Sequence, residues 1–174
     1  MKYVAFVRGI NVGGKTLKMA DLKKLLSSFG FKDVATFKAS GNAIFEADGS
    51  PASLTKKIED GLHKLVGSQT HVILRSMEGL KENVANDPFK GITVTPETRL
   101  YVTFLAEKPK SKMRSYESPD GSFRILRVTD TELYSIITLS PKAGTVDLME
   151  MIEKEFGKDV TTRNWNTVKS IAMG

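Results

Sequence analysis

The N-terminal part of the chain alternates between short strand patterns and helical stripes. Residues 3–8 alternate with a period of two and are rich in β-forming side chains, which predicts a first strand. Apolar residues then recur at helical spacing until Gly30, which predicts a first helix. The members of that stripe are Met19, Leu22, Leu25, Leu26 and Phe29.

Two further strand patterns, 34–37 and 42–46, are separated by only four residues. So short a connection forces an antiparallel hairpin, because a parallel pair needs a crossover of about a dozen residues. A helix from Ser50-Pro51 to Gly67 and a strand over 71–75 complete the order β-α-β-β-α-β, which is the ferredoxin-like order. A short helix over 78–85, capped by Ser76, follows.

The second half repeats much of this order of elements. The polar stretch 91–98 predicts a connection between halves 1–90 and 99–174, and we expect the two halves to form one compact unit. We expect an α+β fold with two ferredoxin-like halves, antiparallel sheets and a C-terminal helix. The elements expected in the second half are a strand over 100–106, a weak helix over 109–116, a hairpin of 123–128 with 133–139, a helix over 146–156, a short strand over 158–161 and a threonine-capped helix over 162–172.

The composition excludes several classes of site. The chain has 40% hydrophobic residues, no cysteine and two histidines, so disulfides, thiolate metal sites and a histidine-rich metal centre are not expected. We expect no metal and no cofactor. No apolar run approaches the roughly 18 residues of a membrane span, and the N-terminal run is too short for a signal peptide. A cytoplasmic protein without a membrane partner is expected, and its oligomeric state is left open.

Positive charge is concentrated in the first half. Residues 1–90 hold 14 Lys and Arg against 9 Asp and Glu, whereas residues 91–174 hold 12 against 11. A basic surface of this kind attracts phosphates or nucleic acid, although such a charge is also common on an ordinary solvated face.

A glycine-rich turn joins the first strand to the first helix. It runs from Arg8 to Thr16, and Gly9, four residues, Gly14, Lys15 and Thr16 match the P-loop pattern. In that motif backbone amides at a helix N-terminus face the phosphates, and the lysine reaches the terminal phosphates.

Three features weigh against nucleotide hydrolysis. P-loop enzymes have a mainly parallel sheet, whereas the hairpin here is antiparallel. No apolar strand ends in a well-placed aspartate for magnesium, Glu107 being the nearest candidate. Ile10 and Val12 are bulky residues for a loop that wraps a phosphate. A kinase or nucleoside triphosphatase therefore stays the lesser alternative.

A second turn, Ser40-Gly41-Asn42, is typical of hairpins on stereochemical grounds alone. In the predicted topology, however, the first and third strands are central antiparallel neighbours. The end of one strand then meets the start of the other, so Arg8 to Gly14 and Ser40 to Asn42 should lie close together.

The only tryptophan lies near the C-terminus, within Arg163-Asn164-Trp165-Asn166. A single tryptophan is commonly an anchor that fixes a terminal helix to the core. The alternative is a ligand wall, in which Trp165 stacks on a base or sugar and Arg163 pairs with a phosphate.

Together these stretches resemble a known family. Residues 3–5 leading into 8–14, then 19–22, 40–42 and 161–167, resemble the bacterial family called domain of unknown function 1697, nearly end to end. The resemblance implies an α+β protein built from ferredoxin-like units, without an established activity or catalytic residues. It also implies that the Lys15-Thr16 ending is accidental, because that part varies in the family.

We therefore expect a protein that binds a phosphate-bearing partner, either a small molecule such as a nucleotide or a nucleic acid. The alternatives are an enzyme acting on a small phosphorylated substrate and a protein-interaction or structural role. The expected ligand-binding residues are Arg8, Asn11, Gly13, Gly14, Lys15, Ser40, Asn42, Arg163, Asn164 and Trp165.

Overall fold

The computed structural model describes residues 1–8, 17–37, 41–140 and 145–174. Within these ranges the chain has an α+β fold with two antiparallel sheets and five helices, the last of them at the C-terminus. The chain divides into two compact units, Met1–Glu82 and Asn83–Gly174.

The first unit contains a four-stranded sheet and two helices that pack on it. The elements are β1 Lys2–Arg8, α1 Met19–Ser28, β2 Lys32–Phe37, β3 Asn42–Glu46, α2 Pro51–Val66 and β4 His71–Ser76. The sheet order is β2-β3-β1-β4, and all neighbouring strands are antiparallel, which confirms the predicted hairpin. Helix α3, Met77–Asn86, begins directly after β4, and the Ser76 hydroxyl accepts a hydrogen bond from the Gly79 N–H at 3.1 Å.

Strand β1 is buried on both faces of this sheet. Tyr3, Ala5 and Val7 join the apolar core formed with the helices. Val4 and Phe6, on the opposite face, are also buried. The core residues that α1 and α2 contribute are Leu22, Leu26, Leu54, Ile58 and Leu62.

Both ends of α2 have the predicted caps. The Ser50 hydroxyl accepts a hydrogen bond from the Ser53 N–H at 3.2 Å, and Pro51 occupies the first turn. Gly67 ends the helix with a φ of 78°, a left-handed conformation that favours glycine.

The second unit contains a five-stranded antiparallel sheet and two helices that follow its last hairpin. The elements are β5 Thr98–Leu105, β6 Tyr116–Glu117, β7 Phe123–Val128, β8 Glu132–Thr138, α4 Thr145–Phe156, β9 Val160–Asn164 and α5 Trp165–Met173. The strand order is β6-β7-β8-β5-β9. Leu148 and Ile152 of α4 pack against Leu133 and Ile137 of β8, which fixes the helix on one face of the sheet.

The helix expected over 109–116 does not form, so that prediction is wrong. The segment is irregular and ends in the short strand β6. The Ser111 hydroxyl accepts a hydrogen bond from the Met113 N–H at 3.1 Å and donates one to a Glu155 carboxylate oxygen at 2.6 Å. Because the serine satisfies a backbone donor locally, it competes with the helical hydrogen-bond pattern.

The last helix starts later than expected, and its cap is an asparagine rather than a threonine. Residues 160–164 pair with β5 as the edge strand β9, which delays α5 until Trp165. The Asn164 side-chain oxygen accepts a hydrogen bond from the Asn166 N–H at 2.9 Å and thereby caps the helix.

No helix in the described ranges combines the length and the apolar character that crossing a membrane requires.

We predict that Leu62→Ala lowers the free energy of unfolding by about 2–5 kcal/mol, because it opens a cavity in the first core. Leu62 is 0% exposed, whereas Leu65 on the same helix is 47% exposed. Leu65→Ala is therefore the matched control and should change stability by about 0.5 kcal/mol or less. Urea unfolding followed by circular dichroism measures both variants, and equal losses would contradict the assigned packing.

We predict that Asn164→Ala destabilises the protein by about 1 kcal/mol, since it removes the cap of α5. Asn164→Asp keeps a capping oxygen and should retain most of the stability, so it serves as the control. Thermal unfolding of the two variants tests the cap. Equal midpoints for Ala and Asp would show that the capping hydrogen bond does not stabilise the helix.

Candidate functional site

The candidate site lies at the end of the first sheet where the central strand β1 ends and its neighbour β3 begins. The Val7 N–H donates a hydrogen bond to the Gly41 carbonyl oxygen at 2.8 Å, and Phe6 lies opposite Asn42. Arg8, the next residue, therefore lies beside Gly41 and Asn42. For the described residues, this confirms the proximity predicted from strand order.

Arg8 is the point at which burial along β1 stops. Residues 3–7 are buried, whereas Arg8 is partly exposed. The alternation of side chains places Arg8 on the face of β1 that carries Val4 and Phe6, away from the core formed with α1 and α2. The partly exposed guanidinium group of Arg8 consequently lies at this end of the sheet.

His71 and Glu59 form a pair at the same end of the sheet, which the local sequence pattern does not indicate. His71 is opposite Arg8 in the β1–β4 register. Its Nδ1 atom is 3.4 Å from a Glu59 carboxylate oxygen. The signal that could have identified His71 is the pairing of β1 with β4, since the first residue of β4 must then lie beside the last residue of β1.

The Asn42 side chain stabilises the β2–β3 hairpin. It is fully buried, and its side-chain N–H donates a hydrogen bond to the Phe37 carbonyl oxygen at 2.9 Å. This bond links the end of β2 to the start of β3, and Gly41 beside it has a left-handed φ of 81°. Asparagine and glycine are thus required here by the turn itself.

The remaining candidates of this group lie outside the described residues. They are Asn11, Gly13, Gly14, Lys15 and Ser40.

Arg163 is a buried cation in the second unit. Its side chain is 8% exposed, and one guanidinium nitrogen donates to the Thr161 hydroxyl at 2.6 Å and to the Thr162 carbonyl oxygen at 3.0 Å. Burial lowers the pKa of Arg163 to about 10, so the group keeps its charge at neutral pH.

Trp165 lies in an aromatic cluster of the same unit. It is 3% exposed, and its ring packs edge-on against Phe89 and Tyr134, with centroid separations of 5.3 and 6.2 Å. These are the surroundings of a core anchor, which was one of the two interpretations of this residue. Asn164, beside it, caps α5 as described above.

The arrangement offers no evident place for a metal among the residues that the structure describes. No three of their histidine, aspartate or glutamate side chains come together in a way that could hold an ion.

Comparison with solved structures concerns the fold alone. The conserved bacterial protein SP0830 from Streptococcus pneumoniae has a TM-score of 0.75 and 21% identity, with 99% of this chain and 96% of that chain covered. An unknown protein from Galdieria sulphuraria has a TM-score of only 0.27 and 14% identity over 94% of this chain and 97% of that chain, which supports no structural argument.

Comparison with protein families confirms the family that the motifs resemble, over residues that include the motifs at 3–14, 19–22 and 40–42 but not the one at 161–167. No curated protein matches the chain. Residues 1–134, which include all of the first unit, match the family described as protein of unknown function (DUF1697). The chain therefore belongs to the DUF1697 family.

Proposed function

We propose that the protein binds a phosphate-bearing ligand, either a nucleotide or a nucleic acid, at the end of the first sheet where Arg8 lies. The observation that supports this most directly is the pairing of β1 with β3, which puts Arg8 next to Gly41. The two glycine-containing segments 9–14 and 38–41 adjoin these strand ends in the chain.

The chemistry of Arg8 suits a phosphate. A guanidinium group presents a planar fork of N–H donors that matches phosphate oxygens in a bidentate manner, and it stays charged at neutral pH. Arg8 is partly exposed, so a ligand can reach it without displacing the core. The proposal includes Lys15 as a second charge, and Asn11, Gly13, Gly14 and Ser40 as residues whose types suit hydrogen bonding to a phosphate.

The start of α1 adds electrostatic support. Lys18 brings its positive charge to the N-cap position, while Asp21 places one carboxylate in the first turn. The N-terminus of a helix carries a partial positive charge and favours anions. The first 82 residues also hold 13 Lys and Arg against 8 Asp and Glu, so the field of this unit attracts phosphates.

Arg163, Asn164 and Trp165 have no part in this proposal. Their side chains make the internal hydrogen bonds and ring contacts of the second unit. These contacts account for their residue types without a ligand.

We also propose that the first unit is ferredoxin-like. Its elements follow the order β-α-β-β-α-β, and its strands are arranged as β2-β3-β1-β4 in an antiparallel sheet. The second unit departs from that order between β5 and β7, where an irregular segment replaces the first helix.

We predict that the ligand raises the melting temperature, because it binds the folded state alone. At 100 times the dissociation constant the gain is about 2.7 kcal/mol. The measurement is thermal unfolding against nucleotides, short RNA and DNA strands and phosphorylated sugars. Arg8→Ala and Lys15→Ala should each reduce the shift, while Arg127→Ala, an exposed arginine of the second unit, is the control.

The outcomes separate the alternatives. No shift with any of these compounds, or an equal shift in Arg8→Ala, would contradict the proposed site. A shift with RNA or DNA that weakens steeply with salt identifies nucleic acid, since counterion release accompanies phosphate neutralisation. Metal-dependent nucleotide turnover that Lys15→Ala abolishes would instead favour an enzyme on a phosphorylated substrate.

A further inference from the structure

An open apolar groove lies on the outer surface of helices α1 and α2. Its cavity volume is about 740 Å³. Apolar side chains and lysines line it together, the main ones being Leu25, Phe29, Leu65, Lys56, Lys57 and Lys64.

The floor of the groove depends on Gly61. A Cβ atom at this position would lie 2.7 Å from the Cζ atom of Phe29 and 3.0 Å from a terminal carbon of Leu25. The missing side chain therefore lets Leu25 and Phe29 of α1 rest directly on the backbone of α2. Both residues are only partly buried, so the floor presents apolar surface to solvent.

Leu65 extends this apolar surface along α2. It follows Gly61 by four residues, which places both on one face of the helix. With 47% of its side chain exposed, Leu65 leaves apolar area in water that a partner could cover.

The rim of the groove is positive. The lining contains three lysines against one aspartate, Asp60, whose carboxylate is 3.0 Å from the Lys56 ammonium. The ammonium of Lys57 lies 5.9 Å from the centre of the Phe29 ring, directly beside the apolar floor. Lys57 and Lys64 are seven residues apart, about 10 Å along the helix axis.

We propose that this groove binds an acidic amphipathic helix of a partner protein. Apolar side chains at helical spacing on the partner would cover Leu25, Phe29 and Leu65, which is the helix-in-groove mode of recognition. Carboxylates that flank those side chains, two turns apart, would meet Lys57 and Lys64. A second copy of this chain is disfavoured as the occupant, because a symmetric contact would bring the two lysine rims together.

This surface is separate from the proposed phosphate site. The groove belongs to the helices that cover one face of the first sheet, whereas Arg8 lies on the opposite face of β1. Variants at the two places can therefore be tested independently.

The test uses a fluorescein-labelled synthetic helix of about 18 residues, long enough to hold helical structure, with leucines along one face and glutamates on both flanks. Fluorescence anisotropy should show binding to the wild type. Lys57→Glu combined with Lys64→Glu should weaken the affinity about tenfold, since it reverses two rim charges. Lys110→Glu combined with Lys112→Glu, on exposed residues of the second unit, is the matched control and should leave binding unchanged.

A charge swap sharpens the test. The same peptide with lysines in place of the glutamates should bind the Lys57→Glu, Lys64→Glu variant more tightly than it binds the wild type. Leu65→Ser should weaken the acidic peptide, whereas Arg8→Ala should not. Circular dichroism and the melting temperature of each variant verify folding, so that a loss of binding reports on the groove.

Several results would overturn the proposal. These are no binding of the acidic peptide to the wild type, equal binding of the acidic and basic peptides, or undiminished binding to the rim variant. Binding through Lys57 and Lys64 to phosphatidylserine vesicles but not to the peptide would assign the groove to a lipid surface instead. A wild-type dimer that Leu65→Ser converts to a monomer would assign it to self-association.

Discussion

The register of β1 in the middle of the first sheet determines where Arg8, the central residue of the candidate site, lies. β1 pairs with β3 on one side and β4 on the other, and residues 3–7 are buried on both faces. A slip of one residue would exchange the side chains that face the helices, Tyr3, Ala5 and Val7, with those on the opposite face. Because the core excludes such a slip, Arg8 is fixed as the residue at which the buried run of the strand ends, and its neighbours Gly41 and His71 are fixed with it.

Much of the first unit could be predicted from local pattern, because each of its elements has a short-range signal. The four-residue connection dictates an antiparallel hairpin, and Ser50 and Gly67 mark the ends of α2. The hydrophobic pattern does not predict where β2 begins. That strand begins at Lys32, earlier than the expected 34, and contains a register shift with a left-handed residue at Asp33, φ 51°. A bulge of this kind depends on the partner strand, which no local stretch reveals.

The second unit shows the opposite case, in which distant pairing overrides local preference. Residues 162–164 fit a helical pattern but pair with β5, about 60 positions earlier in the chain, as part of β9. The same pairing gives Arg163 its buried position and Asn164 its role as cap. Arginine, asparagine and tryptophan occur both in ligand sites and as structural anchors. The sequence alone therefore allows either role for Arg163, Asn164 and Trp165. Burial and hydrogen-bond partners distinguish the two roles here, and they depend on contacts with Thr161, Asn166 and Phe89.

The excess positive charge of the first unit contributes to both proposed surfaces, the Arg8 site and the α1–α2 groove. The lysines on the rim of the α1–α2 groove belong to the same positive charge that raises the potential near Arg8. If binding of a ligand weakens with salt, that result alone therefore does not show which of the two surfaces binds it. The surroundings of the two surfaces differ, and our two proposals rest on that difference. Arg8 lies at the end of a strand beside Gly41 and opposite His71, and a strongly hydrated anion is the ligand that we propose there. Lys57 borders Phe29, where an anion is held well only if it brings apolar area with it. We therefore propose a phosphate for the strand end at Arg8 and a carboxylate carried on an apolar face for the groove.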